Sequence, residues 1–144
     1  MSGQMVVAEN LERRYGDFTA VRDVSFTIGT QEVVGLLGHN GAGKTTIMKM
    51  LTGYLEPTAG RVLVDGIEVE AEREAAQARL GYLPENCPLY PEMTVVAYLD
   101  YVAELRGLDA AERPAAIRRA IEATELTEKA TARITTMSRG YRPR

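Results

Sequence analysis

Nine consecutive residues restrict what this chain can fold into more than any other stretch. They read Gly38-His39-Asn40-Gly41-Ala42-Gly43-Lys44-Thr45-Thr46 and fit the spacing GxxxxGK[ST]. Each residue type has a physical task. Glycines let successive backbone N–H groups turn inward, and no Cβ blocks the approach of a phosphate. Lys44 brings a mobile cation to β- and γ-phosphates, and the Thr45 hydroxyl is the kind of oxygen ligand that Mg²⁺ prefers. A helix that starts here adds the positive end of its dipole to the same anion. The candidate nucleotide-binding set is therefore Gly38, Asn40, Gly41, Ala42, Gly43, Lys44, Thr45 and Thr46. The single histidine, His39, occupies a free position of the pattern and reads as an exposed loop residue rather than a catalytic one.

The flanks suit such a loop. Val33-Val34-Gly35-Leu36-Leu37 is apolar on both faces, which predicts a strand buried in a parallel sheet. A short helix is predicted from about Thr45 to Thr52, with Gly53 where a C-terminal cap glycine belongs. Upstream, Val24, Phe26 and Ile28 alternate with Ser25 and Thr27 as in a half-buried strand, and Gly29 to Glu32 reads as a turn. Downstream, Asp65-Gly66 is the preferred two-residue turn between Val62-Leu63-Val64 and Ile67-Glu68-Val69. Glu70 to Ala78 is helix-prone, and Leu80 to Leu83 is a short apolar strand stopped by Pro84. The last third is mainly helical. Thr94 caps a helix running to Arg106, Gly107 ends it, and Val95, Leu99 and Val102 fall on one stripe. Asp109 with Glu112 makes a capping-box-like start to a second helix. Pro114 either costs that helix a hydrogen bond or moves its start.

Bulk properties exclude several classes. At 144 residues the chain is about one domain long. A formal charge of −3 and a pI near 5.3 lack the basic footprint of a nucleic-acid binder. The opening MSGQMVVAENLERRYG shows no signal-peptide pattern, and the longest apolar run, Val33 to Leu37, is far short of a membrane span. One cysteine, Cys87, rules out an internal disulfide and reads as a small, partly buried filler.

Three further segments narrow the class. Tyr15-Gly16-Asp17-Phe18-Thr19-Ala20-Val21 precedes the loop, Gly81-Tyr82-Leu83-Pro84-Glu85-Asn86 follows the second apolar run, and Met137-Ser138-Arg139-Gly140-Tyr141-Arg142 lies near the end. In this order and spacing the chain resembles, over essentially its whole length, the ATP-binding subunits of ABC transporters, with the branch that drives exporters, drug-efflux and gliding-associated systems nearest in look. The resemblance implies an α/β P-loop fold with an antiparallel β subdomain and a helical subdomain, incomplete at the C-terminus. Its parts are expected at 1–84 for the β subdomain and P-loop core, 85–137 for the helical subdomain, and 138–144 for the start of the signature helix.

The resemblance also implies roles. Tyr15 matches the aromatic that stacks on adenine. Glu85 stands where the family usually has glutamine, in the loop that senses Mg²⁺ and the γ-phosphate and touches the membrane subunit. With Thr45 it is the expected metal-site residue. Ser138 and Gly140 match the signature motif, usually written LSGGQ, which closes over the nucleotide of the opposite subunit. Here Met137, Arg139 and Tyr141 replace the usual leucine, glycine and glutamine. The implied cofactors are ATP and Mg²⁺. The implied partners are a second ABC ATP-binding subunit and a membrane-spanning permease, with no nucleic acid. The implied location is the cytoplasm, peripheral on the inner face of the cell membrane. The Walker B aspartate, the catalytic glutamate and the switch histidine of the family have no match among these residues, so this stretch by itself is expected to be inactive. Pro143 is unusual for a signature helix but tolerable in a first turn. Two rival readings are a soluble ABC ATPase without a transporter and a truncated, non-catalytic nucleotide-binding fragment.

Overall fold

The computed structural model describes residues 3–143. They form two compact units, one ending at Tyr82 and the other beginning at Leu83.

The first unit is built on a long hairpin, β1 (Gln4–Tyr15) and β2 (Phe18–Gly29), whose ends meet as the pair Tyr15–Phe18. β3 (Ala59–Val64) pairs with the other edge of β1, and β4 (Ile67–Glu68) follows it. The sheet is antiparallel throughout, in the order β2-β1-β3-β4. The β3–β4 turn is the one expected. Asp65 and Gly66 both take positive φ, 51° and 77°, as a type I′ turn requires. On the sheet lies α1 (Lys44–Leu51), which buries Ile47, Met50 and Leu51 against Ala8, Leu11, Val21, Val62 and Val64. Gly53 follows with φ 74°, and its N–H donates to the Met50 carbonyl. A one-turn helix, α2 (Arg73–Gln77), closes the same core with Ala76.

The second unit is helical, as expected. α3 (Val95–Leu105) begins at Thr94, whose hydroxyl accepts the Ala97 N–H at 3.2 Å, and ends before Gly107 at φ 75°. α4 (Arg113–Ala123) places Pro114 in its first turn, so the proline moves the start instead of breaking the helix. The Asp109–Glu112 capping box does not form. The Asp109 backbone carbonyl, not its side chain, receives the Glu112 and Arg113 N–H groups, and α4 has no side-chain cap. Two 3₁₀ turns, Thr127–Lys129 and Ile134–Thr136, fold back so that Val95, Ile121, Leu126, Ile134 and Met137 share a core. No helix among the described residues is long and apolar enough to cross a membrane.

Three further expectations need correction. Val33 to Leu37 is not a strand, and it is not buried: Val33 is 103% and Leu37 93% exposed. Leu80 to Leu83 is likewise without strand structure. Both runs have the composition of central parallel strands, but such a strand exists only when neighbours on each side take its N–H and C=O groups. The described sheet offers them none. Third, residues 138–143 form a turn and not a helix, with the Ser138 carbonyl accepting from Tyr141 and Arg142 N–H groups at 3.0 and 3.3 Å. One element escaped the sequence altogether. β1 carries Glu9, Asn10, Glu12, Arg13 and Arg14, and register shifts along its pairing with β2 erase the two-residue period.

Candidate phosphate-binding site

The loop from Gly38 to Thr46 curls into the N-terminus of α1. The Ala42 N–H donates to the His39 carbonyl at 3.1 Å, closing a turn, and Gly41 and Gly43 follow with φ 86° and 90°. Those values explain the glycines, since side chains rarely tolerate them. His39 is exposed, and its Nδ1 lies 2.9 Å from the Asn40 carbonyl oxygen within the loop.

Gly43 is constrained twice. Along the β1–β2 pairing Arg13 faces Val21 while Arg14 faces Thr19, which leaves Ala20 as an extra, bulged residue. A Cβ on Gly43 would stand 2.6 Å from the Ala20 carbonyl oxygen and 3.0 Å from Val21 Cγ2. The bulge therefore packs directly behind the last glycine of the loop. The sequence showed the glycine but could not show its neighbour, which sits 23 residues upstream and is brought there only by strand register.

The helix N-terminus is uncapped. Gly43 is the N-cap and has no side chain, and the first turn contains no acid. The first backbone bond of α1 runs from the Ile47 N–H to the Gly43 carbonyl at 2.9 Å. The N–H groups of Lys44, Thr45 and Thr46 lie ahead of it and receive no acceptor from their own helix. Three adjacent donors and the positive end of the helix dipole thus face one spot. The Lys44 ammonium arches back over the loop to the carbonyls of Gly38 and His39, the latter at 2.7 Å. An ammonium has three donors, so one remains for an anion held in the ring. Thr45 is exposed, and its hydroxyl makes no hydrogen bond among the described residues. Its chemistry, a neutral oxygen beside a phosphate cradle, fits an Mg²⁺ ligand.

Tyr15 ends β1 and is 48% exposed. It belongs to the same hairpin whose bulged strand backs Gly43. Arg13, which sequence reasoning passed over, lies across its ring with the guanidinium carbon 4.6 Å from the ring centroid. Two-residue spacing on a strand puts both on one face, a signal usable only once β1 is known.

Glu85, Ser138 and Gly140 belong to the second unit and are all exposed. Among the described residues no group of three or more histidine, cysteine, aspartate or glutamate side chains is placed to hold a metal ion. Gly140 is informative for what it lacks. Its φ is not positive, and a Cβ there would meet only Ser138 Oγ at 3.9 Å, an ordinary contact. Nothing among the described residues requires a glycine at this position. In the Cys87–Met93 segment, Pro88, Tyr90, Pro91 and Glu92 are exposed, whereas Leu89 and Met93 pack on the core of the second unit. Only part of this apolar segment is therefore at the surface, and Cys87 is half-buried with a free thiol.

Residues 21–144 match the family model described as ABC transporter. The chain is 34% identical over 140 residues to the linearmycin resistance ATP-binding protein LnrL of Bacillus subtilis, covering 97% of this chain and 45% of that protein. It is 40% identical over 125 residues to human ATP-binding cassette sub-family A member 10, covering 85% of this chain and 8% of that protein. It thus spans less than half the length of either relative. A solved ATP binding subunit of an ABC transporter superposes with a TM-score of 0.83 at 27% identity, over 96% of this chain and 58% of that one. The chain belongs to the ABC transporter family, and its fold is that of the family's ATP-binding subunit.

Proposed function

We propose that this chain binds Mg-ATP at Gly38–Thr46 and serves as the nucleotide-binding part of an ABC transporter, coupling ATP hydrolysis to export through a separate membrane subunit. The observation that carries the reading is the uncapped N-terminus of α1, with its free N–H groups, its acid-free first turn and the Lys44 ammonium arched over the loop. Gly38, Asn40, Gly41, Gly43 and Thr46 present backbone donors to the phosphates, Ala42 closes the turn that shapes the loop, Lys44 adds charge at the β/γ end, and Tyr15 stacks on adenine. Thr45 would offer its hydroxyl oxygen to Mg²⁺, which would supply positive charge against the phosphates, and Glu85 takes the metal- and γ-phosphate-sensing role that the family resemblance gives its loop. Ser138 and Gly140 meet the nucleotide of an opposing ABC subunit. That no described residue of the chain crowds a Cβ at position 140 supports this role. Tyr90, exposed beside Pro91, contributes to the surface that meets the permease. The relative named for linearmycin resistance favours the exporter branch over a soluble ATPase without a transporter. The site works at the inner face of the membrane and involves no nucleic acid.

Lys44→Ala tests the central assignment. Removing the ammonium deletes a charge-assisted contact worth about 1.5–3 kcal/mol. Mg-ATP affinity by calorimetry should fall at least about tenfold. Circular dichroism must show an unchanged fold. Equal affinities for the two proteins would remove the loop from the nucleotide site.

A further inference from the structure

The guanidinium of Arg13 lies over the Tyr15 ring at 4.6 Å and is tied down at its other end, where Nη1 donates to the Glu56 carbonyl oxygen at 2.9 Å. Glu56 lies after α1, so this bond crosses from the hairpin to the segment that follows the phosphate-loop helix. Arg13 Nε is buried and has no hydrogen-bond partner among the described residues. An arginine that gives up a donor in this way is held for its plane and not for its full set of hydrogen bonds. A planar cation over a tyrosine face restricts the ring's rotation and fixes its tilt. We propose that Arg13 is a positioning residue that presets the Tyr15 ring for the base of the nucleotide. This rests on the reading of Tyr15 as the base-stacking residue. A tyrosine 48% exposed at a hairpin end otherwise samples several rotamers and must be ordered at the moment of binding. With Arg13 clamped to Glu56, part of that ordering is complete before the ligand arrives.

The test uses the full-length protein and two ligands, Mg-ATP and Mg-tripolyphosphate, which share the phosphates but not the base. Arg13→Met keeps the apolar stem and removes the guanidinium. It should weaken Mg-ATP about three- to tenfold, the range of a partly exposed cation–π contact, and leave Mg-tripolyphosphate unchanged. In a Tyr15→Ala background it should have no further effect on Mg-ATP, because the ring it acts through is gone. Unchanged Mg-ATP binding by Arg13→Met would overturn the proposal. Parallel losses for both ligands would also overturn it, by showing that Arg13 holds the fold or the loop instead of the ring. Additive losses with Tyr15→Ala would do the same. If Tyr15→Ala alone bound Mg-ATP as tightly as the parent, the base-stacking reading would be the one to fail, and that arm separates the two.

Discussion

Gly43 shows how much a single residue can be asked to do. It needs φ 90° to turn the chain into α1, and it needs to be bare because the bulged Ala20 carbonyl stands 2.6 Å from where a Cβ would go. Gly43→Ala should cost about 1–3 kcal/mol of stability from backbone strain, with the collision added to it. Urea unfolding measures that loss, and a variant as stable as the parent would show that the bulge yields. Gly38 is less restricted. A Cβ there would meet the Ala42 methyl at 3.1 Å, a contact that needs that neighbour to give by only a few tenths of an ångström. The sequence pattern makes the two glycines equivalent, and packing makes them unequal.

Helix boundaries were legible because capping is local. Thr94 receives the Ala97 N–H, and Gly107 takes the left-handed conformation that ends α3. Thr94→Ala should cost about 1 kcal/mol of stability. Urea unfolding measures that loss, and an unchanged midpoint would mean that the Ala97 N–H finds water instead. Pro114 was the ambiguous signal, and the structure resolves it by starting α4 one residue earlier, at Arg113. Charge is less well arranged around the β4–α2 connection. The Glu70 carboxyl sits above its usual pKa, chiefly through burial and then through repulsion from Glu56 and Glu68. A carboxyl raised on folding binds more protons when folded, so its contribution to stability is lost as pH rises from the ordinary value of 4.5 through the folded one. Glu70→Gln should flatten that fall and raise the melting temperature slightly at neutral pH, by a small amount since the group is mostly in solvent. Parent and variant showing the same pH dependence would exclude the effect.

At the scale of the whole molecule, the proposed function predicts that nucleotide binding and turnover separate. The Gly38–Thr46 loop proposed for the phosphates lies within the first unit, whereas the family resemblance leads us to expect the water-orienting glutamate outside residues 1–144. A polypeptide of residues 1–144 should therefore bind Mg-ATP without useful turnover. Phosphate release, with Lys44→Ala as the blank, checks this, and turnover near the ~10 s⁻¹ typical of enzymes would mean the catalytic group is already present. The same polypeptide exposes Val33, Val34, Leu36 and Leu37 together, an aggregation hazard that Val33→Lys with Leu37→Lys should relieve without lowering the melting temperature. What the sequence determined alone is what short-range physics specifies: the glycine-lysine loop, the Asp65-Gly66 turn and the capped start of α3. The tertiary structure decided the rest. It placed β1, whose bulges hide its period. It set the bulge of Ala20 against Gly43 and the plane of Arg13 against Tyr15. It left Val33–Leu37 unpaired, because an apolar run becomes a strand only where another strand completes its hydrogen bonds.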